Sequence, residues 1–344
     1  MKKRLLLINS LCLSLSMSLS ISSFNSYAAD FAIAIHGGAG TIDKAKMTKE
    51  KQAAYESKLT EAVNAGYQLL SEGKSSQQAV IAAIQILEES PLFNAGRGAV
   101  YTFDGEHEMD ASIMDGKTLN AGAIAGVKTV KSPIALAEQV MENSVHVMLS
   151  GEGAEDFAKQ QNMEFVDNSY FDTEFRFKAL QDAKKKLEQK QKQSSFQAAH
   201  QALDVKYKYG TVGAVALDKQ GNLTAGTSTG GMTAKRFGRI GDAPIIGAGT
   251  YANNNSCAVS ATGHGEYFIR YHVAADICAR VEYQGIPLQD AADTVINDVL
   301  VKAGGSGGII AIDTDGNITM PFNSSGMYRA SRKQNEQPFV AIFK

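Results

Sequence analysis

The sequence predicts an α+β fold in which β-sheets pack against each other and helices lie outside them. Glycine-hinged apolar segments with strand character begin at Phe31 and recur through residues 211–344. Segments with helical periodicity come in blocks between these strands. A parallel βαβ sheet would need strict alternation of strands and helices, so the block order favours packed sheets with outer helices.

Length and composition limit the protein class. The chain has 344 residues, 44% of them hydrophobic, which is enough for one large domain or two medium ones with a real core. A formal net charge of -2 gives neither the basic patch of a nucleic-acid-binding protein nor a strongly acidic tail.

The first 28 residues have the pattern of a secretory signal peptide. A positive head at residues 2–4 precedes an apolar, serine-diluted stretch at 5–21, and Ser26 and Ala28 fit the small-x-small pattern before a cleavage site. We therefore expect cleavage after Ala28 and export, to the periplasm if the cell has two membranes. The alternative is an uncleaved membrane anchor. The serines lower the hydrophobicity of this stretch, so they disfavour a membrane-spanning helix.

Export would leave two cysteines in the mature chain. Cys257 lies in an apolar, strand-like run and Cys278 in a helix-like one. Nothing in the sequence resembles a disulfide framework. We expect both to be small buried residues without a disulfide between them.

Several elements can be placed by their end signals. Ser75 and Gln78 form the pattern of a capping box before a helix, and Ser132 with Pro133 predicts another helix start. Later, Gly-Asn at 221–222 and Asp-Gly-Asn at 315–317 predict turns between pairs of strands. Residues 266–285 and 287–304 are predicted to form two helices.

The segment from about 174 to 209 is charged, amide-rich and poor in large apolar residues. We expect it to bury little and to act as a mobile connector. It ends abruptly at Gly210-Thr211, where a buried strand begins. The seam is either an ordinary domain junction or a cleavage site that makes Thr211 the first residue of a new chain.

A threonine at a chain start can be a nucleophile without a histidine. Its own α-amino group, with a reference pKa of about 7.7–8.0, can take the hydroxyl proton. Other chemistries have little support, because the chain has no His-x-x-x-His pair, no Cys-x-x-Cys and no phosphate-binding G-x-x-x-x-G-K-[ST] loop. His36 is expected to pack or to fix a loop.

Ordered motifs along the chain resemble those of the plant-type L-asparaginase/isoaspartyl peptidase family of N-terminal-nucleophile hydrolases. The resemblance covers almost all of the expected mature chain except the connector. The motifs are AIHGGAG (34–40), ESPLFNAGRGAV (89–100), MDASIMDG (109–116), AGAIAGV (121–127), GTVGAVALD (210–218), TSTGGMTAKRFGRIGD (227–242), ATGHGE (261–266) and GGSGGIIAID (304–313).

The resemblance implies a four-layer αββα sandwich and roles for the threonines. Thr211 matches the nucleophile, released by cleavage after Gly210. Thr229 matches a second threonine whose hydroxyl lies against that of Thr211, although a cross-strand threonine of the β-face is the ordinary alternative. Thr262 and Gly263 match an oxyanion hole made of one hydroxyl and one backbone N–H.

The resemblance also implies a substrate clamp. Arg239 would bind an α-carboxylate and Asp242 an α-ammonium group, since a guanidinium fork suits a carboxylate and a carboxylate suits an amine. The alternative is a surface salt bridge. Other residues expected around the substrate are Ile240, Gly241, Thr262, Gly263, His264 and Gly265, with His264 lining the pocket only.

The resemblance also implies a structural sodium ion in the loop that surrounds Asn94. Main-chain carbonyls, which suit a hard cation, would bind this ion. Asn94 would support this loop, and the alternative is a glycine-rich loop without an ion. The expected carbonyl ligands belong to Leu87, Glu88, Ser90, Phe93, Ala95 and Arg97.

The implied protein is a self-processing amidohydrolase that releases L-aspartate from β-aspartyl dipeptides and L-asparagine. It would consist of an α subunit (29–210) and a β subunit (211–344), paired as αβ and doubled to (αβ)₂, without an organic cofactor, nucleic acid or a membrane partner. Alternatives are a glycosylasparaginase of the same fold and an uncleaved amino-acid-binding envelope protein.

Overall fold

The computed structural model describes residues 30–191 and 210–344. The expected signal peptide (1–28) and residues 192–209 of the expected connector lie outside these ranges.

A large sheet forms the centre of the molecule. Its strand order is β12-β11-β1-β5-β6-β2-β3-β4, antiparallel throughout except for the parallel pair β3–β4. The strands are β1 (Ala32–Gly40), β2 (Met109–Asp115), β3 (Ala121–Val127), β4 (Met148–Ser150), β5 (Val212–Leu217), β6 (Leu223–Thr229), β11 (Gly326–Lys333) and β12 (Phe339–Phe343).

A smaller antiparallel sheet packs on one face of the large one. Its order is β10-β9-β8-β7. The strands are β7 (Thr250–Ala252), β8 (Cys257–Gly263), β9 (Gly307–Asp313) and β10 (Ile318–Thr319). The expected turns at 221–222 and 315–317 lie between β5 and β6 and between β9 and β10, as predicted.

Helices cover the two outer faces. Those on the large sheet include α1 (Lys49–Ser71), α2 (Ser76–Glu88) and α3 (Pro133–Asn143), with α4 (Gly151–Gln160) beside β3. The small sheet is covered by α6 (Gly265–Arg270), α7 (Val273–Gln284), α8 (Leu288–Asp293) and α9 (Leu300–Ala303), with a π-helical turn at Thr294–Val299 between the last two.

Alternating side chains on each strand separate the layers. In β1, Ile33 and Ile35 face the helices, whereas Ala32 and Ala34 face the small sheet. Small residues on the inner face allow the two sheets to approach closely, and this alternation is the period-two pattern of a strand buried on both sides. The four layers are therefore αββα, and the fold prediction is confirmed.

The helix starts agree with the sequence signals, with one difference in detail. Ser75 and Gln78 form the predicted capping box of α2. Ser132 stands at the N-cap of α3 with Pro133 next, but its hydroxyl donates to the Glu88 carboxylate at 2.7 Å instead of capping. The same carboxylate accepts the Ile134 N–H at 2.9 Å, so Glu88 caps this helix from a distance.

The expectation that the connector buries little is wrong for its first half. Helix α5 spans Glu174–Gln191. Leu180, Ala183 and Leu187 are buried in a cluster with Tyr101 and Ala234. Three apolar residues on one face at spacings of three and four are enough to dock a helix whose other faces are charged.

The expectation for the cysteines is half wrong. Both are buried, Cys257 in β8 and Cys278 in α7, but they form a disulfide across a separation of 21 residues. Their Cα atoms are 5.3 Å apart, a normal spacing for a disulfide. Strand β8 and its covering helix bring together two residues that the sequence spacing does not connect.

The first helix predicted after residue 265 is interrupted. Helix α6 ends at Arg270 and α7 begins at Val273, with His272 in the left-handed region at φ 47°. Within the two described ranges, no helix combines the length and apolarity needed to cross a membrane.

Candidate active site

Thr211 and Thr229 meet at the open end of the β5–β6 hairpin. The register pairs Val212 with Ser228, so the next residues outward lie side by side on neighbouring strands. Their hydroxyl oxygens are 2.9 Å apart, within hydrogen-bonding distance. The Thr229 hydroxyl also accepts the Gly231 N–H at 3.0 Å, which fixes its position.

The carbonyl before Thr211 is held by a backbone donor. The Gly210 carbonyl accepts the Asn94 N–H at 2.8 Å. Gly210 has φ 109°, a conformation that favours glycine, and a Cβ there would lie 2.5 Å from the Asn94 nitrogen. A donor on this oxygen is what a transition state for attack on the Gly210 carbonyl needs.

Asn94 connects this seam to two further loops. Its side-chain Nδ2 donates to the Gly231 carbonyl at 2.7 Å, and its Oδ1 accepts the Val100 N–H at 2.9 Å. Its own carbonyl accepts the Gly230 N–H at 3.0 Å. The Asn94 backbone and side chain therefore fix the position of the seam.

His36 holds the other side of the seam. A carbonyl can only accept, so its Nδ1–H donates to the Thr211 carbonyl at 2.9 Å, and Nε2 then accepts the Ser260 hydroxyl at 3.0 Å. Burial lowers the pKa of His36 to about 3, so the ring is neutral. These are the contacts of a residue that fixes a loop.

Beneath the histidine, hydroxyl groups form a buried chain between the two sheets. Ser260 lies 2.7 Å from the Thr227 hydroxyl, which accepts from Thr250 at 2.6 Å. Ser112 Oγ lies 2.8 Å from the Thr250 hydroxyl and 2.6 Å from the Ala243 carbonyl, and its single hydrogen can donate to either of them. Each buried hydroxyl in this chain has a partner, which avoids the cost of burying polar groups alone.

Thr262 and Gly263 end strand β8 on the same side of the sandwich. Alternation along β8 points Ser260 and Thr262 toward the large sheet, because Val259 and Ala261 pack against the outer helices. The Thr262 hydroxyl accepts the Ala39 N–H at 3.2 Å, which leaves its hydrogen available for another acceptor.

The predicted groups surround one small cavity with about 20 Å³ of free space. It is lined by residues from both sides of the seam: Ala39, Asn94, Gly210, Thr211, Thr229, Gly231, Met232, Arg239, Gly241, Asp242, Thr262 and Gly263. The structure thus brings together the three threonines, the glycine of the expected oxyanion hole and the two charged residues of the expected clamp.

The two clamp residues converge on Gly265. A Cβ at this position would lie 2.8 Å from Asp242 Oδ1 and 2.9 Å from Arg239 Nη2, so the absence of a side chain permits the arrangement. Arg239 also donates through Nε to Glu266 Oε1 at 3.0 Å, and its Nη2 lies 3.0 Å from the same oxygen. Glu266 therefore orients the guanidinium from outside the cavity.

Three expected substrate residues, Ile240, His264 and Gly265, do not line this cavity. Ile240 is 39% exposed, and Gly265 lies beside the two clamp side chains without lining the cavity. His264 lines a neighbouring cavity, and its Nε2 lies 3.5 Å from Glu266 Oε2. Their roles stay predictions.

The loop expected to hold sodium is compact. Its expected carbonyl residues Leu87, Glu88, Ser90, Phe93 and Ala95 are buried and Arg97 is exposed. Gly96 and Gly98 form a 3-10 turn there.

The atoms packed against Gly96 and Gly98 show which groups could bind an ion near this turn. A Cβ on Gly96 would collide with the Glu88 carbonyl, and one on Gly98 with the Phe93 carbonyl. Two carbonyl oxygens thus face the turn closely, which fits main-chain ligation of a hard cation. In the part of the chain that the structure describes, no cluster of His, Cys, Asp or Glu side chains could hold a metal.

Glu88 itself is a buried carboxyl below this loop. It accepts from the Ser228 hydroxyl at 2.6 Å, besides its bonds to Ser132 and Ile134. Burial raises its pKa to about 7 despite these hydrogen bonds.

Two serines flanked by glycines fit the G-x-S-x-G pattern of serine hydrolases, but neither has its geometry. That pattern needs a sharp strand-to-helix turn. Ser228 lies inside β6 and is fully buried. Ser306 lies between helix α9 and strand β9, in the opposite order.

Comparison with known proteins gives a single family. The family model described as Asparaginase matches residues 29–342. The chain belongs to this asparaginase family.

Curated relatives of this asparaginase-family chain cover most of both sequences. "Isoaspartyl peptidase" from Salmonella typhimurium is 51% identical over 312 residues, covering 91% of this chain and 98% of the relative. "Isoaspartyl peptidase" from Escherichia coli is 49% identical, covering 91% and 96%. "Isoaspartyl peptidase/L-asparaginase" from Xenopus laevis is 40% identical, covering 90% and 94%.

Sequence reasoning missed the groups that position the seam. It assigned Asn94 only to the ion loop, not to the Gly210 carbonyl, and it did not foresee the hydroxyl chain. Thr227 falls on the same face of β6 as the apolar Leu223 and Ala225, so strand alternation could have placed it between the sheets.

Proposed function

We propose that this asparaginase-family protein cleaves itself before Thr211 and then hydrolyses amides of the β-carboxyl group of aspartate. The substrates are β-aspartyl dipeptides and L-asparagine. The observation that carries the proposal is the Thr211 hydroxyl 2.9 Å from Thr229, next to a carbonyl held by the Asn94 N–H. The names of the relatives support the same substrates.

Self-cleavage is an acyl shift followed by hydrolysis. The Thr211 oxygen attacks the Gly210 carbonyl carbon, the Asn94 N–H stabilises the oxyanion, and the Gly210–Thr211 C–N bond breaks as its nitrogen takes a proton. Water then hydrolyses the Gly210 ester. The products are a carboxylate at Gly210 and a free amine and hydroxyl at Thr211.

Catalysis reuses the same hydroxyl. The new α-amine takes the proton of Thr211, whose oxygen attacks the β-carbonyl carbon of the substrate. Thr262 and Gly263 donate to the oxyanion, and Thr229 orients the nucleophile. The amide C–N bond breaks, ammonia or an amino acid leaves with a proton, and water releases aspartate from the ester.

Substrate orientation comes from the opposite charges beside Gly265. Arg239 pairs with the α-carboxylate and Asp242 with the α-ammonium group. The sugar-bearing asparagine of a glycosylasparaginase carries the same two α-groups, so the clamp alone does not distinguish it from a β-aspartyl dipeptide. The names of the relatives favour the β-aspartyl substrates. The nucleophile set argues against a protein that merely binds amino acids.

We also propose export, processing after Ala28 and assembly as an αβ pair, doubled to (αβ)₂ as the resemblance implies. The Cys257–Cys278 disulfide supports an oxidising compartment. The carbonyls around Gly96 and Gly98 support a structural sodium ion, which would stiffen the loop that carries Asn94.

The test is a denaturing gel of the purified protein with two variants. Wild type and Thr211→Ser, which keeps the hydroxyl, should give two fragments that meet at the Gly210–Thr211 bond. Thr211→Val, which keeps the volume and loses the hydroxyl, should stay one chain without amidase activity. Cleavage of Thr211→Val at this bond would sink the proposal.

A further inference from the structure

A second cavity adjoins the one that contains Thr211. It has a volume of about 480 Å³ and shares Ala39 and Gly263 with the smaller cavity. The Ala39 N–H donates to the Thr262 hydroxyl, so the shared wall is the one that carries the expected oxyanion donors. A group attached to the reacting carbonyl would have to pass along this shared wall to enter the second cavity.

The two cavities differ in the size of ligand they can take. The Thr211 cavity, which Gly210 still lines, has about 20 Å³ of free space, room for about one water molecule and none for a second amino acid. A dipeptide also carries a whole second amino acid on the reacting amide. The volume of the second cavity, about 480 Å³, lies within the range of about 300–1,000 Å³ that small-molecule sites occupy.

The lining of the second cavity is polar and includes one lysine, Lys344. Among the described residues that line it are Thr41, His264, Ser306, Ser325 and Lys344, and none of the lining residues is an aspartate or glutamate. The Lys344 ammonium lies 5.6 Å from the centroid of the Phe322 ring. A cation on a long side chain, beside several hydroxyl groups, can pair with a carboxylate that enters the cavity.

We propose that this cavity binds the amino acid that leaves a β-aspartyl dipeptide, with the Lys344 ammonium pairing with its α-carboxylate. The inference rests on the proposed function. It predicts that the enzyme distinguishes two parts of one substrate: the clamp at Arg239 and Asp242 binds the aspartyl end, and Lys344 binds the departing end. L-Asparagine releases only ammonia and has no group that reaches Lys344.

The experiment compares three substrates with the full processed enzyme: β-Asp-Leu, its C-terminal amide β-Asp-leucinamide, and L-asparagine. Lys344→Met keeps the length of the side chain and removes the charge. We expect kcat/KM for β-Asp-Leu to fall about three- to tenfold through KM, the range of a partly exposed ion pair. The values for the amide and for L-asparagine should stay unchanged.

Two further variants separate charge from space. Lys302→Met is the matched control, since Lys302 is exposed and pairs with Asp298 on the same stretch of helix, away from the cavity lining. It should change none of the three values. Ser325→Trp fills the cavity, so it should slow both β-aspartyl peptides and spare L-asparagine.

The outcomes distinguish the two proposals. Equal loss on all three substrates in Lys344→Met, or no loss on β-Asp-Leu, overturns the leaving-group site. So does a wild type that hydrolyses L-asparagine but neither peptide, while the amidase proposal stands. A cleaved wild type that hydrolyses none of the three overturns the proposed function and this inference with it.

Discussion

Thr211 is held on both sides of the bond that it is expected to break. The Asn94 N–H fixes the carbonyl before it, and the His36 ring fixes its own carbonyl. Its hydroxyl meets Thr229. Since each partner comes from a different segment of the chain, the seam has its geometry only after the sandwich has formed, and folding must precede self-cleavage.

The clamp residue Arg239 should separate the two reactions of the protein. Arg239→Ala removes the partner of the α-carboxylate but leaves the seam intact, so the chain should still cleave itself. Loss of a charge-assisted hydrogen bond should lower kcat/KM for L-asparagine about ten- to a hundredfold. The measurement is a gel for processing and steady-state kinetics for hydrolysis.

Arg236→Ala is the matched control for this variant. It removes the same charge three residues earlier, where the guanidinium lies over the Phe103 ring instead of lining the Thr211 cavity. It should retain both reactions. If Arg239→Ala hydrolyses L-asparagine as fast as wild type, Arg239 forms only the ion pair with Glu266.

His36 should make stability depend on pH. Its pKa is about 3 in the folded protein and near 6.5 when unfolded, so the unfolded chain binds the extra proton between these values. The contribution of His36 to the free energy of unfolding should therefore be highest above pH 6.5 and fall as the pH drops toward 3. Glu88, whose pKa burial raises to about 7, acts in the opposite direction over this range, so the His36 contribution shows only in a comparison with a His36 variant. Between pH 6.5 and 4.5 the loss should be about 2 kcal/mol.

Urea unfolding of wild type and His36→Gln across this pH range measures the contribution of His36. The difference between the two proteins should shrink as the pH falls, because the variant has no imidazole to protonate. A constant difference from pH 7.5 to 4.5 would show that His36 does not carry this dependence.

At the residue scale, the sequence predicted which groups line the site but not how they are held. Thr211, Thr229 and Thr262 could be found because their neighbours resemble family motifs. The bond from Asn94 to Gly210 could not, because a backbone donor has no side-chain signature. Its length depends on packing between segments that are distant in sequence.

At the scale of single elements, the β5–β6 hairpin determines the geometry of Thr211, the proposed nucleophile. The Gly-Asn turn sets the register of the hairpin, and a shift of one strand by one residue would place the two threonines on opposite faces of the sheet. Turn chemistry of this kind is local, which is why the two strands could be predicted from the sequence.

Helix α5 should protect its own stretch of the chain from proteases. Leu180→Asp places a charge in the cluster with Tyr101 and Leu187, which should release the helix at a cost of about 2–4 kcal/mol. Limited proteolysis should then cut within residues 174–191 well before wild type is cut there. Gln181→Asp, on the exposed face of the same helix, should behave as wild type.

Composition misled the prediction for this element. The helix is mostly lysine, glutamine and glutamate, and its mean composition resembles a linker. Docking depends on the few apolar residues that share one face, and on a receiving surface built by Tyr101 and Ala234, far away in sequence. Equal protease resistance of Leu180→Asp and wild type would restore the connector interpretation for this stretch.

At the scale of the whole molecule, the sandwich layers could be predicted and the disulfide could not. Alternation of side chains reveals that a strand is buried on two sides. The pairing of Cys257 with Cys278 depends on the angle at which α7 crosses β8, which no local pattern encodes.

Reduction of the disulfide should destabilise the protein. A closed loop of about 20 residues corresponds to about 3 kcal/mol of stabilisation. Wild type should therefore unfold at lower urea concentration when dithiothreitol is present. The double variant Cys257→Ala, Cys278→Ala should show one midpoint with and without the reductant. A wild-type midpoint that ignores the reductant would mean that this pair is not oxidised in the purified protein.

The strand order of the large sheet determines whether the two fragments of the proposed self-cleavage can fold independently. Strand β1, from the first fragment, lies between β11 and β5, both from the second, and β2 from the first pairs with β6 from the second. Strands of the two fragments therefore alternate in one sheet. Each fragment alone would expose several strand edges without their hydrogen-bonding partners. Neither fragment contains all the strands that its own strands pair with, so neither should refold alone after separation in denaturant. A gene split at codon 211 should therefore yield soluble enzyme only when both halves are translated in the same cell.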